Sequence, residues 1–240
     1  MRGTHEIFDD ILFAALLIFP VYEWRWGWPR YLARLASGAP GVRLRYYRNI
    51  LAGEWIPALA LLGFWALRDR PWSWLLLGGD RPLRLALGLA LVAALVALLV
   101  AQRRAILARP ETVKRVRAKL EHAEALVPHT LPERKLFRLV SLTAGVCEEI
   151  FFRGFMIWYL GIWMGPIAAV ILSSILFGFG HIYMGAAQVP KTAILGLILA
   201  LIALGSGSLW PVILLHAAID WTSGELGFKI LGESSKTAES

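Results

Sequence analysis

Cysteine occurs once in the 240 residues, at Cys147. That excludes an intramolecular disulfide and a cysteine-rich metal site. Charge is scarce as well: Asp, Glu, Lys and Arg make up 18% of the chain against 58% hydrophobic residues, with a mean hydropathy of +0.59. Soluble domains hold about 45–50% apolar residues. The alternating segments of about ten residues that build an outer-membrane barrel are missing. So is any internal repeat, which argues against a secondary transporter. No H-E-x-x-H helix of soluble zinc proteases occurs. The opening "MRGTHEIFDD" is acidic ahead of its apolar run and has no small-residue cleavage site, so it does not read as a cleavable signal peptide.

What is present is apolar and helical. Runs near the length of about 20 residues needed to cross a bilayer predict spans at roughly 8–22, 50–67, 83–101, 136–160, 163–183, 191–205 and 209–225. The fold class expected is all-α, a polytopic transmembrane helix bundle of about seven to eight spans, forming one integral membrane domain over residues 1–240. The tryptophans at 24, 26, 28, 72, 74, 163 and 210 lie near span ends, as aromatic belts do, and "PWSWLLLG" reads as an interfacial piece.

The net charge of +8 does not imply nucleic acid, because the basic residues sit between apolar runs. Six of them fall in 23–49 and ten in 102–138, whereas the turns near 161 and 207 have none. The excess puts 102–138 in the cytoplasm, with the N-terminus outside and the C-terminus inside. Residues 111–127 carry Val113, Val116, Leu120, Ala123 and Val127 on one face between Pro110 and Pro128. This predicts an amphipathic connector on the anionic inner leaflet.

The segment "CEEIFFR" at 147–153 puts three charges into an apolar run. A charge at the membrane centre costs about 2.5–3.5 kcal/mol on insertion scales. Glu149 and Arg153 are four apart and can pair on one helix face. Glu148 is turned about 100° away and has no local partner. It is the carboxylate left for chemistry. "FGFGH" places His181 four residues after Phe177, and "HAAID" places His216 four before Asp220. Asp220 can accept a proton from His216 and fix its tautomer. A lone intramembrane histidine is often an interhelical hydrogen bond. Ionisable groups from three helices together mark a functional site.

Such a set can activate water and hydrolyse a peptide bond without a covalent intermediate. Glu148, His181 and His216 would also satisfy a 2-His-1-carboxylate site if a metal such as zinc is bound, and water activation without metal is equally open. A Cys147 nucleophile is disfavoured by the neighbouring Glu148 charge. From the residues alone, a non-catalytic membrane partner and a proton-coupled transporter stay as alternatives.

Glu148-Glu149-x-x-x-Arg153, Phe177-x-x-x-His181 and His216-x-x-x-Asp220, in this order, resemble the type II CAAX prenyl endopeptidases and their bacterial CAAX protease and bacteriocin-processing (self-immunity) relatives. The resemblance covers roughly 130–225. It implies a glutamate-dependent intramembrane endopeptidase, commonly classed as a metalloprotease, acting on membrane-anchored or lipidated peptides. By the family's pattern Glu148 and His181 would activate the water, His216 and Asp220 would stabilise the oxyanion, and Glu149 and Arg153 would support the site. Because Asp220 stands where some relatives have Asn and cannot donate unless protonated, the expectation here is that it orients His216. The Ala-, Leu-, Arg- and Gly-rich composition with few lysines points to a bacterial cytoplasmic membrane, with the active-site mouth facing the cytoplasm.

Overall fold

In lipid the hydrophobic effect does not drive one apolar helix onto another, so small residues and polar ties must hold a bundle together. The computed structural model describes residues 5–78, 81–120 and 124–232, and shows both devices. Helices run α1 (Ile7–Tyr22), α2 (Trp28–Ala36), α3 (Val42–Leu67), α4 (Pro82–Leu107), α5 (Pro110–Leu120), α6 (Leu131–Glu149), α7 (Ile157–Met164), α8 (Pro166–Gly180), α9 (Gln188–Ser206) and α10 (Trp210–Leu231). There is no strand among the described residues. π-helical turns at Glu23–Gly27 and Ile150–Met156 join α1 to α2 and α6 to α7 without a break.

Five of the seven predicted spans fall on single helices, whereas 136–160 runs through α6, the π-helical turn and α7, and 163–183 begins in α7, crosses the break at Gly165 and ends past α8. Three helices, α3, α4 and α9, are long and apolar enough to cross a membrane by length and composition. Helix α8 is apolar but has 15 residues. Helices α6 and α10 carry the charges described below. Outward faces repeat apolar residues every three or four positions: Leu83, Leu87 and Leu91 on α4, Ile167, Ile171 and Ile175 on α8. These are the faces that lipid covers, and the protein is embedded in a membrane.

Helix α6 is central, with α3 and α10 packed on it and the α8–α9 pair beside its continuation. Its start is a capping box: Thr130 accepts from the Glu133 amide, and Glu133 Oε2 accepts from the Thr130 amide at 3.0 Å. Trp55 Nε1 donates to Thr143 Oγ1 at 2.9 Å, tying α3 to α6. Arg134 and Arg138 both donate to Glu225, tying α6 to α10. Gly145 lies so close to Ala217 and the Ile213 carbonyl that a Cβ would meet atoms within 2.9 Å. Gly178 similarly faces the Val189 carbonyl of α9 at 2.5 Å from its would-be Cβ.

Several expectations change. Residues 23–36, read as part of a basic loop, continue α1 as helix, because Trp28 and Tyr31 bury one face and leave the arginines outside. Trp28 is therefore a core residue rather than a belt residue. Residues 71–78, read as an interfacial piece, pack against the rest of the protein. Leu75 is fully buried, Trp74 stacks on Trp158, and the Leu209 amide donates to the Leu76 carbonyl at 3.0 Å. Helix α5 has Val113 and Val116 half-buried, as expected, but residues 124–126 form a turn rather than helix. The Ala125 carbonyl accepts from Tyr31 Oη and Arg43 Nε, and Val127 is buried against Gly227, so this end joins the protein core. Ala123 of the expected amphipathic face falls outside the described residues.

Candidate active site

Glu149 and Arg153 span the junction between α6 and the π-helical turn. Both are buried, Glu149 fully so, and Arg153 NH1 donates to Glu149 Oε1 at 2.9 Å. Arg153 NH2 donates to the Gly196 carbonyl of α9 at 3.1 Å, and its guanidinium lies 4.1 Å from the centre of the Phe177 ring. Phe177 also packs edge-on against His216 and lies against His181. This aromatic is the wall that three of the polar groups share.

His216 points back at the same carboxylate. Its Nδ1 is 2.7 Å from Glu149 Oε1. A carboxylate only accepts, so Nδ1 carries the proton and Nε2 faces the other way. Glu148 Oε2 and Asp220 Oδ2 each lie 3.8 Å from that Nε2. The orienting carboxylate is therefore Glu149 and not Asp220, correcting the sequence-based expectation. Asp220, four residues along the same helix, approaches the opposite nitrogen, and tertiary packing supplies the partner at Nδ1.

His181 ends α8. Its Nδ1 donates to the Phe177 carbonyl at 2.9 Å, which again leaves Nε2 free of the protein backbone. The position at the helix end brings it to a cavity of about 630 Å³ between the first three helices and the segments that carry Glu148 and Phe177. Glu148, Phe177, His181 and Tyr183 line that cavity on one side, Glu54 and Tyr46 on the other. Glu148 Oε2 is shut off from solvent with no hydrogen-bond partner. Asp220 interacts electrostatically with His216, Glu148 and His181, so groups from α6, α8 and α10 converge.

Residues 133–222 match the family described as type II CAAX prenyl endopeptidase Rce1-like. The chain carries an Rce1-like domain. No curated protein and no solved structure matches the chain significantly. The Rce1-like segment runs from the α6 capping box to two residues past Asp220, so it contains all three motifs named above. The match covers 90 of the 240 residues, and it is to a family of CAAX-type endopeptidases.

The pinned tautomers of His181 and His216 suit metal ligation. Yet among the described residues no three His, Cys, Asp or Glu side chains group as a metal site. Glu148, His181 and His216 thus do not group as the three-ligand site they would form if a metal were bound, and the chemistry proposed here runs through no metal. Cys147 is fully buried and does not line the cavity.

One residue of this cavity escaped the sequence reading. Glu54 lies on α3, outside the Rce1-like segment, and its Oε2 is shut off from solvent with no hydrogen-bond partner. The signal was available. Glu54 is an acidic residue inside the apolar run 50–67, the same anomaly that singled out 148 and 149.

Proposed function

We propose that the protein is an intramembrane endopeptidase that hydrolyses peptide bonds of membrane-anchored or lipidated, CAAX-type peptides with a water activated by Glu148. The observation that carries this reading is Glu148, which lines a cavity together with His181 and has an unpartnered oxygen 3.8 Å from His216 Nε2. A buried carboxylate oxygen without a donor needs one, and a water between Glu148 and His181 supplies it. Glu148 takes the water's proton as the oxygen attacks the scissile carbonyl. In its imidazolium form His216 donates from Nε2 to the oxyanion, with Glu149 balancing its charge. Glu149 and Arg153 are positioning residues: they act through His216.

The cavity's composition supports a lipidated peptide. Leu12, Leu16 and Phe19 of α1 offer an apolar side for an acyl or prenyl chain. Arg30, Arg34 and Arg45 line the same cavity, and they belong to the basic set assigned to the cytoplasmic face. This supports a mouth on that face, in a bacterial cytoplasmic membrane, with lipids and the substrate as partners.

The test is turnover of a fluorogenic peptide bearing a prenylated cysteine three residues from its C-terminus, in proteoliposomes. Glu148→Gln is expected to abolish cleavage while leaving the melting temperature within a few degrees. A folded Glu148→Gln protein that still cleaves would sink the assignment. Cleavage of peptide supplied only at the outer face of oriented vesicles would reverse the assigned mouth.

A further inference from the structure

Two glutamates that line the same cavity, Glu148 and Glu54, each have an Oε2 sealed from solvent with no hydrogen-bond partner. They come from facing helices, and the contact between those helices is fixed one residue from Glu54. There Trp55 donates to Thr143 Oγ1 at 2.9 Å, and Thr143 is itself buried. Glu54 lies in the field of Glu148, Asp220 and His216. Glu148 has the His216 Nε2 at 3.8 Å, whereas Glu54 has no ion pair among the described residues, so the two carboxylates stand in different surroundings and Glu148 is the one set up as the base.

We infer that Glu54 is a second catalytic carboxylate, the acid that protonates the leaving amine. The inference rests on the protease reading above. Glu148 removes one proton from water, and the C–O bond forms as the carbonyl pair moves onto oxygen. When the tetrahedral adduct collapses, the C–N bond breaks and its electron pair takes the proton of Glu54. The products are a carboxylic acid and an amine. The proton held by Glu148 then passes to Glu54, which restores both groups. Environments that separate the roles of two carboxylates in this way are a recurring route to paired acid and base. Tyr183, from the turn after α8, lines the same cavity and lies within electrostatic reach of both carboxylates.

The experiment compares the fluorogenic prenyl peptide with its depsipeptide analogue, in which the scissile amide is an ester. An alkoxide leaves with less help from an acid than an amide nitrogen does. General acid catalysis contributes about 10²–10⁴-fold, so Glu54→Gln is expected to lower kcat on the amide by about 100-fold or more with KM unchanged. On the ester its defect should shrink below about tenfold by the same argument. Equal losses on both substrates, or none on the amide, overturn the inference. Glu148→Gln separates this from the reading beneath it. Amide turnover surviving Glu148→Gln defeats the protease assignment itself, whereas a dead Glu148→Gln beside an unimpaired Glu54→Gln defeats only the role of Glu54. Should Glu54→Gln melt out, Glu54→Asp carries the same comparison: an amide-selective loss supports the role, and an equal loss removes it.

Discussion

The Arg153 guanidinium is enclosed almost as deeply as the carboxylate it pairs with, at 1% exposure against 0% for Glu149. Replacing Arg153 by Met fills a similar volume but removes the donor to Glu149 Oε1 and the bond to the Gly196 carbonyl. Glu149 is then left with His216 as its one partner, and its Oε2 already has none. Removing one member of a buried ion pair costs about 3–5 kcal/mol, because the other charge stays behind uncompensated. For a chain of this size each kcal/mol shifts the melting temperature by about 2–4 °C, so Arg153→Met should melt about 6–20 °C lower. Adding Glu149→Gln removes the orphaned charge while keeping an amide oxygen for His216 Nδ1. The double variant should therefore recover about 2 kcal/mol relative to the sum of the single changes, the scale of coupling between residues in contact. Thermal unfolding in detergent micelles, followed by circular dichroism or by fluorescence of the eleven tryptophans, reads both numbers. An Arg153→Met protein melting within about 2 °C of the parent would refute the reasoning, since that shift corresponds to under about 1 kcal/mol.

Two further outcomes follow from packing and from charge. Gly178→Val puts a Cβ 2.5 Å from the Val189 carbonyl and 2.7 Å from the Ala193 Cβ. It should force α8 from α9, destabilise by about 1–3 kcal/mol as overpacking does, and displace His181 three residues on. Melting and peptide turnover should both fall, whereas Gly180→Ala, with open space around it, should leave stability nearly unchanged. His129, in the turn before α6, has its pKa lowered, first by burial and then by the Arg43 guanidinium. The unfolded chain then binds that proton more readily than the folded one. Its contribution to stability is full above the ordinary histidine value of 6.5 and declines as pH falls through 6.5 towards the lowered folded value. His129→Asn should flatten the melting temperature against pH over that window, and an unchanged slope would count against the burial argument.

The seven apolar runs were legible because lipid imposes one rule on every span: enough apolar residues and internally satisfied backbone groups. Glu148, Glu149, Arg153, His181 and His216 were legible because charge and imidazole are rare in such runs. Other features needed the third dimension. The partner of His216 Nδ1 is 67 residues away, and sequence spacing favoured the local Asp220 instead. The turn at 124–127 is held by Tyr31, Arg43 and Tyr47, which no periodicity within 111–127 reveals. The helical path of 23–36 was hidden by its arginines, although Trp28 and Tyr31 stand three apart on its buried face. Glu54 was missed because its span was taken as generic.

The π-helical turn at Ile150–Met156 has a consequence for how this chain tolerates change in length. A wider turn accommodates one residue more than an α-helical turn over the same rise. Shortening the chain by one residue there would let the helix close up as ordinary α, with no backbone bond lost. Because the extra residue is stored within the wide turn, α7 beyond it would keep its facing relative to Glu148 and Glu149. The Trp158 ring would stay against Trp65 and Trp74, and Tyr159 would keep Asp10. The same deletion in the α-helical part of α6 would instead turn everything beyond it by about 100° about the axis.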